Sequence, residues 1–333
     1  MSTSELPLVH LVGTGGTIAA WGKPRLELVE YGGGEQLDSF QNLDRIPEIH
    51  EYVQVQAEQY AMVGSGISLD QWLGLSKRIN QIFKENDRVN GVVVTHGTSV
   101  LEETAYWLNL TIKSEKAVVI TGTMRPPSAL GTEADNNLFG ALLLAGSSEA
   151  QGKGALVMLN DEINAAREVT KQNSYRVQTF GTRELGFLGY MDSDLKPVFY
   201  RQPIRKHTYQ TEFDVSKLES LPWVDTYYAV AGGSPFTVDA LAEAGVDGIA
   251  VAGTGGGYAT GAMDALANAA EKGVTVVATT RAGAGRVIPT SMFRERGIIA
   301  GDNLSVQKAR ILLMLALTIT KDRDEIQRIF DTY

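Results

Sequence analysis

Short apolar runs alternate with amphipathic stretches of helical length along most of the chain. The runs are rich in β-branched residues, whereas the longer stretches repeat their apolar positions every three to four residues. In order they read LVHLVG, SLDQWLGLSKRINQIFKEN, GVVVT, SVLEETAYWLNLTI, AVVITG, NNLFGALLLAGSS and GALVML. This alternation predicts an α/β fold with a mostly parallel sheet that is covered by helices on both faces.

The second stretch shows the helical period most clearly. Ser68 precedes it as the predicted N-cap. Six residues then share one helix face: Trp72, Leu73, Ser76, Ile79, Ile82 and Phe83. We interpret this face as core packing and assign it no chemistry.

The alternation lapses between about residues 200 and 222, where the chain is polar and interrupted by prolines. We therefore predict an N-terminal catalytic domain over residues 1–199, a linker over 200–221 and a C-terminal α/β domain over 222–333. In the last of these the alternation resumes more weakly, and a final helix is expected from about Ser305 to Leu317.

Composition and charge narrow the class of partner. The 333 residues are 44% hydrophobic, which is enough for two cores. A net charge of -9 and the lack of a Lys or Arg run argue against nucleic acid and anionic membranes. Small-molecule chemistry is favoured. The start MSTSELPLVHLVG lacks the pattern of a signal peptide, so we expect a cytoplasmic protein, or a periplasmic one if a leader has been removed.

Three polar turns follow apolar runs: VGTGGTIAA at 12–20, THGTS at 95–99 and TGTMRP at 121–126. The first is not a dinucleotide fingerprint, because Ile18 stands where the third glycine belongs. GSSEAQGKG at 146–154 fails as a phosphate loop, because Gly154 stands where Ser or Thr should bind magnesium. The four histidines are scattered, with no metal-binding spacing. We expect no metal site.

With these motifs excluded, the three polar turns are notable for their threonines. A threonine can act as a nucleophile if a base takes its proton. Thr14 and Thr17 are both candidates, although either could be a turn hydroxyl that satisfies the backbone. Ser99 and Glu102 match a capping box. Lys171 is either a solvated loop lysine or, if desolvated near Thr98, a base. The residue types alone do not decide between these readings.

Eight segments in order resemble the bacterial L-asparaginase/glutaminase family of amidohydrolases. They are TGGTIA (14–19), THGTSVLEETAYWL (95–108), GTMRP (122–126), REVTK (167–171), RKHT and FDVSKL (within 205–218), AGVDGI (244–249) and QKARILLMLALT (307–318). The resemblance implies a larger N-terminal flavodoxin-like domain and a smaller C-terminal α/β domain. It also implies a homotetramer with active sites between subunits, a small-molecule amide substrate, and no metal or cofactor.

The resemblance also implies roles for particular residues. Thr17 matches the nucleophile that attacks a side-chain amide carbonyl and releases ammonia through an acyl-enzyme. Thr98 matches the second catalytic threonine, Lys171 matches its partner lysine, and Tyr31 is the candidate for the family's lid tyrosine. Ser65 matches a substrate-binding serine. Gly97, in the turn of Thr98, is expected to line the substrate site as well.

The sequence departs from the family where the substrate's α-ammonium group would bind. Ser99 replaces an aspartate, Gly66 replaces a glutamine or aspartate, and Gly256 replaces a polar residue. Glu295 is the only candidate for a glutamate that some members add, and Arg125 is interpreted as structural. We therefore expect an amidohydrolase for a non-standard amide, N-substituted or desamino. The alternatives are an L-asparaginase/glutaminase with a rebuilt ammonium site, and a non-catalytic ligand-binding protein on the same scaffold.

Overall fold

Two α/β units make up the part of the chain that the computed structural model describes, residues 6–333. The first unit ends at Thr211 and the second begins at Glu212. Residues 1–5, which contributed to the signal-peptide argument, lie outside the described residues. The predicted fold class is confirmed, because each unit is built on a sheet whose central strands are parallel.

The first unit carries an eight-stranded sheet in the order β12-β11-β8-β7-β6-β5-β1-β4. The strands of this unit are β1 (Leu8–Gly15), β2 (Ala20–Trp21), β3 (Glu35–Gln36), β4 (Gln54–Val63), β5 (Val89–Thr95), β6 (Ala117–Thr121), β7 (Ala155–Leu159), β8 (Glu162–Ala165), β9 (Thr170–Lys171), β10 (Phe180–Gly181), β11 (Gly189–Met191) and β12 (Pro197–Phe199). Strands β4, β1, β5, β6 and β7 are parallel, and β8, β11 and β12 extend the sheet antiparallel.

The register brings three strand ends together. Gly13 of β1 pairs with Gln59 of β4 on one side and with Thr95 of β5 on the other. Because these strands are parallel, the loops that follow them leave the sheet at the same edge. This is the edge where ligands bind in open α/β sheets.

The helices of this unit are α1 (Ser39–Leu43), α2 (Leu69–Glu85), α3 (Leu101–Thr111) and α4 (Ala134–Gly146). The predicted N-cap of α2 is confirmed: Ser68 Oγ accepts the amide of Gln71, and the Gln71 side chain accepts the amide of Ser68. All six residues of the predicted apolar face are buried. They contribute to the core between this helix and the sheet.

The predicted capping box of Ser99 and Glu102 is wrong. Helix α3 takes Val100 as its N-cap, with no side-chain capping bond. Glu102 is only 6% exposed, and its Oε2 accepts the backbone amide of Lys171 at 2.6 Å. A buried carboxylate requires hydrogen-bond donors, and a neighbouring strand provides one that the helix end does not.

The second unit is a parallel four-stranded sheet in the order β13 (Val224–Tyr228), β14 (Gly248–Gly253), β15 (Thr275–Thr280) and β16 (Ile298–Ala300). Its helices are α5 (Phe236–Ala244), α6 (Met263–Glu271), α7 (Ser291–Glu295), α8 (Val306–Leu317) and α9 (Arg323–Thr332). The predicted helix ending at Leu317 is confirmed as α8, with Ser305 at its N-cap position. It is not the final helix, since α9 follows it. In residues 6–333 no helix combines the length and apolarity needed to cross a membrane.

Candidate active site

Three loops touch at the carboxyl edge of the larger sheet. The amide of Gly16 donates to the Val63 carbonyl at 2.9 Å. A Cβ atom on Gly16 would lie 2.3 Å from Gly97 Cα, and one on Gly97 would lie 2.7 Å from the Gly64 carbonyl oxygen. Gly16 also has a φ of +85°, which side chains rarely tolerate. The backbones that lead into Thr17 and Thr98 are therefore in direct contact.

In the first turn, at 12–20, the structure distinguishes Thr14 from Thr17, which the residue types alone did not. Thr14 is fully buried, and its hydroxyl donates to the Thr95 carbonyl at 2.7 Å, so it is engaged in joining β1 to β5. Thr17 is half-buried and begins a short 3-10 helix, Thr17–Ala19. Its Oγ1 lies 2.9 Å from the hydroxyl of Tyr31. Thr17 is thus the threonine whose hydroxyl lies in hydrogen-bond contact with a phenol hydroxyl.

The second turn brings Thr98 to Lys171. The Lys171 ammonium donates to Thr98 Oγ1 at 2.8 Å, and Thr98 is only 6% exposed. Burial lowers the pKa of Lys171 from its ordinary value of 10.5, and the nearby charge of Glu102 opposes that shift. Because a lowered pKa makes the neutral amine available at a lower pH, this lysine has the environment of a base rather than of a solvated loop residue.

Glu102 fixes where that lysine stands. Lys171 lies on the two-residue strand β9, which pairs with β10 and not with the main sheet. The bond from the Lys171 amide to the Glu102 carboxylate attaches β9 to the first turn of α3. The buried Glu102 side chain therefore links the lysine backbone to the helix that begins three residues after Thr98.

His96 is a site residue to which the sequence assigned no role. Its Nδ1 lies 2.8 Å from the Gly97 carbonyl, and its Nε2 lies 3.0 Å from the Thr104 hydroxyl. The indole of Trp72 donates to the same hydroxyl at 2.8 Å. Burial lowers the pKa of His96, against a smaller opposing effect of the Gly97 carbonyl, so the ring is neutral.

The directions of these bonds follow from the groups involved. An indole N–H only donates and a carbonyl only accepts, so Nδ1 carries the proton and Nε2 accepts from Thr104. These hydrogen bonds form a chain from the Trp72 indole through the Thr104 hydroxyl and the His96 ring to the Gly97 carbonyl. It fixes the peptide that precedes Thr98. Only the proximity of side chains from α2 and α3 reveals it, and no local sequence pattern does.

Replacing Thr104 by valine removes the middle of this chain while keeping the shape. We expect the variant to lose about 1–3 kcal/mol of unfolding free energy, because the buried Trp72 N–H and His96 Nε2 lose their partner. Urea unfolding measures the loss. Thr104→Ser keeps the hydroxyl and should lie close to the native protein; equal losses in both variants would contradict the argument.

The positions that depart from the family are open. Gly66 and Ser99 are exposed, as is the matching Ser65, and a Cβ atom on Gly66 would meet nothing within 4 Å. In the second unit a Cβ atom on Gly256 would meet only the Tyr258 ring, at 3.4 Å, and Glu295 is exposed at the end of α7. A side chain that is absent at Gly66 thus leaves accessible space and not a filled core.

The turn at 121–126 is held by hydrogen bonds within its own loop. The Arg125 guanidinium donates to the carbonyls of Leu130 and Gly131 at 3.3 and 3.0 Å, and the Thr123 hydroxyl donates to the Arg125 carbonyl at 2.8 Å. These bonds support the structural interpretation of Arg125. Across residues 6–333, no three His, Cys, Asp or Glu side chains are grouped to hold a metal ion.

The fold defines an open-sheet α/β protein with polar loops at the carboxyl edge of its larger sheet. Residues 8–205 match the family model "Asparaginase, N-terminal", and residues 223–330 match "Glutaminase/Asparaginase C-terminal domain". The chain therefore belongs to the asparaginase family of amidohydrolases, and the resemblance stated from the sequence is confirmed.

Individual relatives match over nearly their whole length. L-asparaginase 2 of Bacillus subtilis (strain 168) is 44% identical, with 99% of this chain and 87% of the relative covered. Glutaminase-asparaginase of Pseudomonas fluorescens biotype A is 36% identical, with 99% and 91% covered. The solved structure of a probable cytoplasmic L-asparaginase from Campylobacter jejuni is 41% identical, with a TM-score of 0.93 and with 98% of this chain and 99% of that one covered.

Proposed function

We propose that the chain hydrolyses a side-chain amide with Thr17 as the nucleophile. The hydroxyl oxygen of Thr17 gives up its proton and attacks the amide carbonyl carbon, the carbon–nitrogen bond breaks, and the amide nitrogen takes a proton and leaves as ammonia. Water then cleaves the resulting acyl-threonine ester and restores the hydroxyl. The observation that carries the proposal is the pair of contacts, Thr17 with Tyr31 and Thr98 with Lys171.

Lys171 and Tyr31 supply the proton transfers in this scheme. A neutral Lys171 takes the proton of the Thr17 hydroxyl, or of the attacking water in the second step, through the Thr98 hydroxyl. The lowered pKa of Lys171 supports that role. The Tyr31 hydroxyl, hydrogen-bonded to Thr17, orients the nucleophile and exchanges its proton. Thr17 and Thr98 thus each have one side-chain hydrogen-bond partner, Tyr31 and Lys171, and these contacts support the proposed proton transfers.

The preferred substrate in this proposal is an amide without a free α-ammonium group, either N-substituted or desamino. Ser99 offers a hydroxyl where charge recognition of an ammonium would need a carboxylate, and Gly66 leaves open space beside Ser65. Removing charge and side-chain volume together disfavours a compact cation and admits a neutral or larger group.

A Ser99→Asp variant tests this reading directly. We expect kcat/KM for L-asparagine to rise about 10- to 100-fold relative to N-acetyl-L-asparagine, because a hydrogen bond between charged groups contributes about 1.5–3 kcal/mol. Ammonia release measures both substrates. Ser99→Asn is the neutral control of the same size and should leave the ratio near that of the native protein. A native preference for L-asparagine at low concentration would contradict the proposed substrate class.

The second candidate is hydrolysis of free L-asparagine or L-glutamine. It is favoured by the names of the relatives, L-asparaginase 2 and glutaminase-asparaginase, at 44% and 36% identity. A non-catalytic binding protein is the weakest candidate, because it would have no use for a half-buried lysine hydrogen-bonded to a threonine. The same two-substrate assay separates the first two candidates.

Two further properties belong to the proposal. A homotetramer with active sites between subunits is implied by the family resemblance. A cytoplasmic location is supported by the Campylobacter jejuni protein, whose structure is described as that of a probable cytoplasmic L-asparaginase.

A further inference from the structure

One buried carboxylate lies beside the proposed base and takes no part in the proposed mechanism. Glu102 belongs to the first turn of α3 and is only 6% exposed. Burying a carboxylate costs free energy unless hydrogen bonds or opposite charges compensate for it. Glu103, the next residue of the same turn, avoids that cost by remaining partly exposed. The buried position of Glu102 therefore calls for an explanation in the contacts that it makes.

Lys171 is attached at its backbone and at its tip to the segment where β5 leads into α3. Its backbone amide donates to Glu102 Oε2 at 2.6 Å, and its ammonium donates to Thr98 Oγ1 at 2.8 Å. Thr98 and Glu102 are four residues apart, on the turn and the helix that follow β5. Because both ends of the lysine are held by one segment, its amine stays within reach of the Thr98 hydroxyl.

The strand that carries Lys171 is short, which makes the bond to Glu102 important for its position. Strand β9 has two residues and pairs with β10, where Lys171 stands opposite Phe180. The neighbouring bond of this ribbon runs from the Gln172 amide to the Thr179 carbonyl, at 2.7 Å. Successive amides of an antiparallel strand point to opposite sides, so the Lys171 amide is directed away from β10 and toward α3.

Glu102 also places a negative charge near the Lys171 ammonium. Burial lowers the pKa of Lys171, and the charge of Glu102 opposes that shift. Thr98 and Ser99, on the turn, carry no charge, and Arg167 is a further buried charge in the segment that leads to β9. Without the Glu102 charge the lysine would lose its proton at a lower pH and would be a weaker base.

We infer that Glu102 is a positioning residue for the proposed reaction: it holds the Lys171 backbone so that the amine reaches Thr98, and it strengthens that amine as a base. The inference rests on the proposed function and adds the residue that regulates its base. Glu102 acts through Lys171. Its two roles use different properties of one carboxylate, a hydrogen-bond acceptor and a negative charge, so substitutions can separate them.

Glu102→Gln keeps an acceptor oxygen for the Lys171 amide and removes the charge. We expect the rise of kcat/KM with pH to move to lower pH, and kcat on the high-pH plateau to fall about three- to tenfold, because the base is weaker. Ammonia release across the pH range measures both. Glu103→Gln is the matched control, since it removes the neighbouring charge of the same turn, and it should keep the native midpoint. A midpoint in Glu102→Gln that is unchanged or moves to higher pH overturns the inference.

Glu102→Leu removes the acceptor as well as the charge. We expect kcat to fall about 10- to 100-fold below the native value, which is the usual effect of a reacting group that loses its alignment. KM should change much less, because the lysine acts on a hydroxyl. Thermal unfolding checks that both variants are folded. A folded Glu102→Leu with the same kcat as Glu102→Gln would show that the hydrogen bond does not position the lysine, and would overturn the inference.

A titration of Lys171 that does not depend on turnover separates this inference from the proposed function. Trace acetylation with acetic anhydride across the pH range, measured by mass spectrometry, reports when the amine becomes neutral. If Glu102→Gln moves this titration to lower pH but Lys171→Met remains active, Glu102 controls the lysine and the proposed base fails. If Lys171→Met is inactive but the titration is the same in Glu102→Gln and the native protein, the proposed function stands and the inference fails.

Discussion

Thr17→Ala abolishes ammonia release, with an expected loss of at least about 10⁴-fold in kcat. In the proposed mechanism the alanine removes the atom that forms the acyl ester, and the Thr14 hydroxyl does not replace it because that hydroxyl is committed to the Thr95 carbonyl. Thr17 is half-buried, so the fold should tolerate the change. Release of ammonia from N-acetyl-L-asparagine measures activity, and thermal unfolding checks the fold.

Thr17→Ser is the matched control, since it keeps the hydroxyl and removes one methyl group. It should retain a measurable fraction of turnover and form the acyl-enzyme, visible by mass spectrometry after rapid quenching. An alanine variant with more than about a tenth of native activity would show that Thr17 is not the nucleophile.

Lys171→Met is expected to lower kcat by about 10²- to 10⁴-fold, which is the usual contribution of a positioned base. Methionine fills the same space without the amine that contacts Thr98 at 2.8 Å. The loss should appear in kcat more than in KM, because the amine acts on the hydroxyl and not on the substrate. Steady-state kinetics with the best amide substrate measures both.

The pH profile shows whether Lys171 acts as a base. Its pKa is below 10.5, so the neutral amine gains population as the pH rises through that lowered value, and activity should rise with it. Lys171→Arg keeps a donor but stays protonated, so it should be as inactive as the methionine variant. Full activity in the arginine variant would assign the residue a purely electrostatic role.

Patterns that are local in the chain were readable from the sequence. The parallel core strands β1, β5, β6 and β7 appear as apolar runs because both faces of the sheet are covered. Strand β4 was missed because QVQAEQYAMV lies at the sheet edge, where polar residues are tolerated. The sequence could place Thr17 and Thr98 after strands, and the register then explains why the two turns that carry them touch at Gly16 and Gly97.

Contacts between distant segments were not readable. Glu102 accepts from an amide 69 positions along the chain, and that bond overrode the capping box predicted from its own neighbourhood. The hydrogen bonds that connect Trp72 to His96 join α2 to α3 through Thr104, which belongs to no recognisable motif. Such bonds depend on which helices and strands pack together, and short-range periodicity in the sequence does not predict that packing.

The contact between Gly16 and Gly97 has a consequence for anyone who would redesign this enzyme. The spacing of the two threonine loops is set by one backbone resting on another, so neither glycine can be varied without moving the loops apart. Ser99 and Gly66 stand free of that contact and are exposed. Substitutions intended to change substrate selectivity are best confined to those two positions, because they leave the spacing of the two threonine loops unchanged.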